Sequence, residues 1–145
     1  MLMKGAIGFS RKKGTIAGAL RAFSGNHWDH TFVITAMKPE IAVIEASKGW
    51  MERGLITRYE SLRYTTAFFF PDGVALLDIE RSLKVLGQFL AGSAPREAMV
   101  DLLLTYLRLL EPNSHWNFRE SRRTSPEEIF ALLTDNPSFH KIVST

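Results

Sequence analysis

Apolar and polar positions along the 145-residue chain change rhythm near its middle. In the first half the strongest signals are short β-branched and aromatic runs. Lys4 to Phe9 alternates loosely and predicts a first strand. Thr31–Ala36 (TFVITA) and Ile41–Ala46 (IAVIEA), joined by Met37-Lys38-Pro39-Glu40, predict a hairpin or two adjacent strands. Tyr64–Phe70 (YTTAFFF) predicts another strand, ended by Pro71-Asp72-Gly73, where a fixed φ, a capping side chain and a permissive glycine favour a turn. Between the first two strands, Ile16, Leu20 and Phe23 lie at helical spacing, so a short amphipathic helix is expected over Gly14–Phe23 and broken by Ser24-Gly25-Asn26.

The second half has helical periodicity. Asp78 is placed to cap a helix with Ile79, Leu83, Leu86 and Leu90 on one stripe, ending near Gly92. Pro95 suits the first turn of another, whose buried face continues through Val100, Leu103, Leu104 and Leu107 to Leu110, with Pro112 as its stop. Ser125, Pro126 and Glu128 form a capping-box start for a last helix reaching about Leu133. The fold class expected is α+β, a small antiparallel sheet packed with helices, as one domain over residues 1–145.

Composition narrows the chemistry. No apolar run approaches the roughly 20 residues that span a bilayer. The opening Met1-Leu2-Met3-Lys4-Gly5 lacks the order of a signal peptide, so any extracellular role is expected to need another delivery route, such as packaging in a particle. The sequence contains no cysteine, which removes disulfides, thiolate metal sites and thiol nucleophiles together. The net charge is +3. The basic clusters Arg11-Lys12-Lys13 and Arg119 with Arg122-Arg123 read first as solvated loop charge, leaving a nucleic-acid role as a minor alternative.

Candidate chemistry concentrates at Asn26-His27-Trp28-Asp29-His30-Thr31, which runs straight into the first strong strand, and at Glu45 near the end of the second. Adjacent strands would set His30 beside Glu45, where a carboxylate orients an imidazole and stabilises its charged form, the supporting half of a nucleophile–base–orienter triad. The competing reading is a capping or surface histidine and a solvated glutamate. His27 and His30, with Asp29 between, have a spacing that can hold zinc, but nothing fixes a third and fourth ligand from His115, His140 or distant carboxylates, so no metal or cofactor is expected. Trp28 and Trp50 flank the expected cleft, and core packing is the simpler role for both.

The segment GFSRKKGTIAGALRAFSGNHWDHTFVIT from Gly8, followed by IAVIEASKGWMERGLI from Ile41, resembles the opening of the circularly permuted NlpC/P60 (papain-like) hydrolases, a group with envelope-associated and phage-encoded members. SPEEIFALL and NPSFHKI resemble its C-terminal end. The resemblance implies His30 as general base and Glu45 as orienting residue. The family's nucleophilic cysteine, at a helix start where the first amides favour a thiolate, has two placements here: Ala98 or Met99, or the stretch between Asn113 and Arg123. Neither holds a thiol. Ser93, Ser114 and Ser121 read as cap and loop residues, because a serine needs an adjacent base and an oxyanion site. The expectation is a papain-like module without a working nucleophile, a virion- or tail-associated structural or binding component whose partners are other virion proteins or cell-wall peptide. An active hydrolase or acyltransferase on peptide or lipid bonds is the alternative.

Overall fold

The computed structural model of the chain describes residues 3–12, 28, 30–47, 50–59, 63–88, 98–113 and 126–144. Six strands form one open antiparallel sheet: β1 (Ile7–Lys12), β2 (His30–Ala36), β3 (Ala42–Ser47), β4 (Trp50–Leu55), β5 (Tyr64–Pro71) and β6 (Phe139–Ser144). Their spatial order is β4-β3-β2-β1-β5-β6, and every pairing is antiparallel. Three α-helices lie among the described residues: α1 (Leu76–Gly87), α2 (Ala98–Leu110) and α3 (Pro126–Asp135). Single-turn 3-10 segments follow β4 (Ile56–Tyr59) and α2 (Glu111–Asn113). The class is therefore α+β.

Register decides which residues share a face. Ile7 pairs with Val33 and Phe69, and Val33 with Ile44, so these side chains form one face of the sheet. All three helices pack there, through Ile79, Leu83 and Leu86 of α1, Leu102, Leu103, Tyr106 and Leu107 of α2, and Ile129, Phe130 and Leu133 of α3. At its centre the Phe9 ring meets Trp28, Phe69 and Phe130 edge-on at centroid distances of 5.8, 5.7 and 5.2 Å, a preferred geometry for aromatic pairs.

The other face carries a second, smaller core of Phe32, Ile34, Val43, Phe68 and Phe70, covered by Ile56 and Tyr59 from the 3-10 turn. Burial on both faces explains why β2 and β5 read as continuous apolar runs rather than alternating ones. The Phe32 ring sits against the β1 backbone at Gly8, where any Cβ would sit 2.2 Å from a ring carbon, so only glycine fits.

Several boundaries differ from expectation. The first strand is shifted to Ile7–Lys12, and Lys4 and Gly5 form a turn before it. Asp78 does not cap α1. The N-cap is Ala75, and Asp78 sits inside the first turn, where a carboxylate still complements the helix dipole. The helix ends at Gly87, and the expected stop near Gly92 lies outside the described residues. So do the expected Gly14–Phe23 helix and the Ser125 cap, although α3 begins at Pro126 as expected. Strands β4 and β6 carry no pattern that announces them, since both are sheet edges whose pairing comes from a neighbour.

Tyr106 ties α2 to the start of β1. Its buried hydroxyl donates to the Gly5 carbonyl at 2.7 Å. Burial raises its pKa above the ordinary value. A raised phenol keeps its proton in the folded state while the unfolded chain ionises near pH 10. The stabilisation is therefore complete below about pH 10 and declines above it, by up to about 1.4 kcal/mol per pH unit. Urea unfolding between pH 8 and 11.5 is expected to show this decline, and Tyr106→Phe to flatten it while costing about 1 kcal/mol at neutral pH. An identical alkaline slope in both proteins would mean that Tyr106 is not the responsible group.

Candidate functional site

His30 is the first residue of β2. Continuing two residues along the strand reaches Phe32, which pairs directly with Glu45 on β3. Residues two apart share a face, so His30, Phe32 and Glu45 project to the same side of the sheet. Diagonal neighbours of this kind are within reach of long side chains. His30 Nε2 lies 3.1 Å from Glu45 Oε2. The Glu45 carboxylate is 0% exposed and the His30 ring 16% exposed.

A third residue completes the cluster. The 3-10 turn after β4 lays the Tyr59 ring over β2, at 4.8 Å and 7° from Phe32 and at 5.5 Å and 25° from His30. From that position the Tyr59 hydroxyl donates to the same Glu45 oxygen, Oε2. The other carboxylate oxygen lies against Gly54 of β4, where a Cβ would come within 2.7 Å of Oε1. Three other elements thus converge on one buried carboxylate of β3, two of them donating to it.

Burying a carboxylate without partners costs several kcal/mol, so the two donors are a condition for Glu45 being there at all. With Nε2–H directed to Glu45, the lone pair of the neutral ring sits on Nδ1. A protonated ring would turn the same contact into a charge-assisted bond.

The end of the sheet beside this cluster holds an unusual concentration of unsatisfied polar atoms. Ser10 Oγ, Trp28 Nε1 and Thr31 Oγ1 are the buried side-chain atoms without a hydrogen-bond partner among the described residues. Ser10 is the direct cross-strand partner of His30, on the site face, and Thr31 pairs with Phe9 on the helix face. Trp28 belongs to the main core, stacked on Phe130 at 4.8 Å, with its backbone N–H donating to Glu127 of α3 at 3.3 Å. Buried unpartnered polar atoms are rare in folded proteins, and here all three fall at the β1 end and β2 start.

The other candidate residues that the structure describes stand on other elements. Ala98 and Met99 occupy the first turn of α2, a helix start as the nucleophile placement requires. That helix packs through Leu102, Leu103 and Tyr106 on the Val33–Ile44 face, so the sheet stands between α2 and the face bearing His30 and Glu45. The second placement, between Asn113 and Arg123, falls almost wholly outside the described residues, as do His27, Asp29, Ser93, Ser114, His115 and Ser121. Trp50 begins β4. His140 lies on the far edge strand, tilted against Phe70 at 6.3 Å. Among the described residues no group of three His, Cys, Asp or Glu side chains could hold a metal ion. No helix among them is long and apolar enough to cross a membrane.

No protein-family model, curated protein or solved structure matches the chain.

Sequence reading missed Tyr59 and Ser10. Tyr59 sits in Ile56-Thr57-Arg58-Tyr59, which has no spacing relative to His30 or Glu45 that a motif would reveal, and only the fold brings it over β2. Ser10 was accessible in principle, because antiparallel pairing of β1 with β2 sets it opposite His30.

A double-mutant cycle measures the central contact. Tyr59→Phe removes a donor to a buried carboxylate and is expected to cost about 1.5–3 kcal/mol. Combined with Glu45→Gln in denaturant unfolding, the two changes should be non-additive by at least about 0.5 kcal/mol. Strict additivity would show that the hydroxyl–carboxylate contact contributes nothing. Gly54→Ala should destabilise in the wild type and less so in the Glu45→Ala background, where the crowded oxygen is absent.

Proposed function

We propose that this chain is a permuted NlpC/P60-like (papain-like) module that binds rather than cleaves, keeping the base-and-orienter half of a hydrolase site without thiol chemistry. The observation that carries this reading is the His30–Glu45–Tyr59 cluster on a chain that has no cysteine. A working base needs one ring nitrogen held by an orienting group and the other turned to a nucleophile. Glu45 supplies the first requirement through Nε2. The second lacks its usual residue, and α2, which carries the Ala98–Met99 placement, packs on the opposite face of the sheet.

On this reading the cluster is a rigid polar anchor at the start of β2, and the partly exposed ring of His30 is the group that meets the ligand. Phage-borne members of the resembled group suggest the setting: a virion- or tail-associated component whose ligand is cell-wall peptide or a neighbouring virion protein. Amide chemical shifts of Ser10, His30 and Thr31 are expected to move on titration with peptidoglycan stem peptide, with no cleavage product by mass spectrometry. Turnover that disappears in His30→Ala would sink the non-catalytic reading.

One observation favours a second reading, an acyl hydrolase with a serine nucleophile. Ser10, His30 and Glu45 stand on three adjacent strands, on one face, in the order nucleophile, base, orienter, and the Ser10 hydroxyl has no partner. Against it, Ser10 is 1% exposed, and a serine requires an oxyanion site that the cluster does not supply. A fluorophosphonate probe separates the two readings: the binding module leaves Ser10 unlabelled, and covalent labelling of Ser10 that is lost in His30→Ala would establish the hydrolase.

The nucleophile placement has its own test. A cysteine at Met99 or Ala98 is expected to show whatever thiol pKa the start of α2 confers, unchanged when His30→Ala is added. A thiol pKa that rises by a unit or more on removal of His30 would mean that the imidazole reaches the helix start after all.

A further inference from the structure

Far from His30, at the other end of β2 and on the helix face, an open groove of about 400 Å³ runs between α1 and the ends of β2, β3 and β4. Its volume falls in the usual range of ligand sites, about 300–1,000 Å³. Ile44 and Leu83 line its apolar wall, and Lys4, Arg53, Lys84 and Glu80 line its rim. Lys4 and Glu80 approach each other at 3.6 Å. Among the described residues Arg53 and Lys84 have no carboxylate partner, so the rim carries two uncompensated positive charges.

The groove-side flank of α1 continues this surface. Leu76, Glu80, Leu83 and Gly87 follow helical spacing along one stripe, with Leu77 seven residues before Lys84 on its flank. Leu76 and Leu77 are 55% and 56% exposed, and Met3, next to Lys4 in the chain, is 41% exposed. Single exposed leucines are ordinary. Two in succession on the first turn of a helix, beside an apolar-walled groove with unpaired cations, form a surface of another kind.

We propose that the α1 face is a docking surface for an anionic lipid bilayer. Leu76 and Leu77 enter the boundary between head groups and acyl chains, and Arg53 and Lys84 meet lipid phosphates at the groove rim. Charge complementarity selects this occupant. With unpaired cations about two helical turns from the protruding leucines, the surface offers both the apolar and the cationic contacts that an anionic membrane interface takes, as in amphipathic helices that lie in the interface. The net charge of +3 adds long-range attraction of the same sign. Lys84 and Arg53 also lie near the C-terminal end of α1, where cations complement the helix dipole. That role accounts for their tolerance there but not for the exposed leucines at the opposite end. The inference does not rest on the reading of the His30 cluster.

Vesicle flotation tests it on the full chain, with phosphatidylcholine alone and with about one third phosphatidylglycerol. Binding is expected on the anionic vesicles only, weakening in high salt as the surface charge is screened. Arg53→Glu with Lys84→Glu should lower the partition coefficient more than tenfold. Leu76→Ser with Leu77→Ser should do so at both salt concentrations. Arg108→Glu, an exposed cation on α2 outside the groove, should stay within about threefold of wild type. Far-UV circular dichroism and melting temperature confirm that each variant folds, which exposed positions permit. Three results overturn the proposal: no binding to anionic vesicles, equal binding to neutral ones, or binding that neither double variant weakens. A concentration-dependent dimer that the leucine variant abolishes, without vesicle binding, would assign the surface to a second copy of the chain instead.

Discussion

A carboxylate fully withdrawn from water, in the middle of a sheet face, constrains everything around it. Glu45 can occupy that position because Tyr59 and His30 both approach the same oxygen, and because Gly54 leaves room for the other. Each requirement fixes an element: the 3-10 turn must fold back over β2, β2 must begin at His30, and β4 must pass Glu45 without a side chain. Phe32 then fills the space under Tyr59, and its ring demands the bare backbone at Gly8. The smaller core is in this sense organised around a polar contact, with the apolar residues packed to suit it. Removing one donor leaves the buried carboxylate less well satisfied, which is costlier than the loss of an exposed hydrogen bond.

The two faces of the sheet have different characters. The helix face is a conventional aromatic and aliphatic core centred on Phe9, Trp28 and Phe130. The site face combines an apolar end, Ile34 and Phe70, with a polar end where His30 and Ser10 are neighbours. A sheet that buries both faces can keep a histidine and a glutamate in fixed relation without any contribution from the helices. For a chain without a cysteine, such rigidity serves recognition as well as it serves catalysis. Preorganised polar groups lower the ordering cost that a ligand would otherwise meet.

Strands whose side chains bury on both faces were legible in the sequence, because TFVITA, IAVIEA and YTTAFFF have few other uses for so many β-branched and aromatic residues. The side-chain contact between His30 and Glu45 was also legible, since adjacent strands and period-two alternation can bring two such positions to one face. The edge strands were not. WMERGL and FHKIVS owe their conformation to hydrogen bonds with β3 and β5 rather than to their own composition. Tyr59 was invisible for a related reason, since it enters the site through a turn whose direction is set by tertiary packing. The start of α1 misled through Asp78, a good capping residue that lies one turn too late because Leu76 and Leu77 already belong to the helix.

The order of strands also separates what is near in the chain from what is far. Strands β2, β3 and β4 follow one another as a meander with short connections, so their pairing closes small loops at little entropic cost. Strand β6 reaches β5 only after the chain has passed through all three described helices, pairing Phe139 with Pro71 and Ser144 with Thr66. The meander, with its His30–Glu45–Tyr59 cluster, is therefore built from contacts local in sequence, whereas the β5–β6 ladder joins segments far apart in the chain. Amide protons of β3 should outlast those of β6 in exchange, which makes the far edge of the sheet the seam along which this molecule opens first.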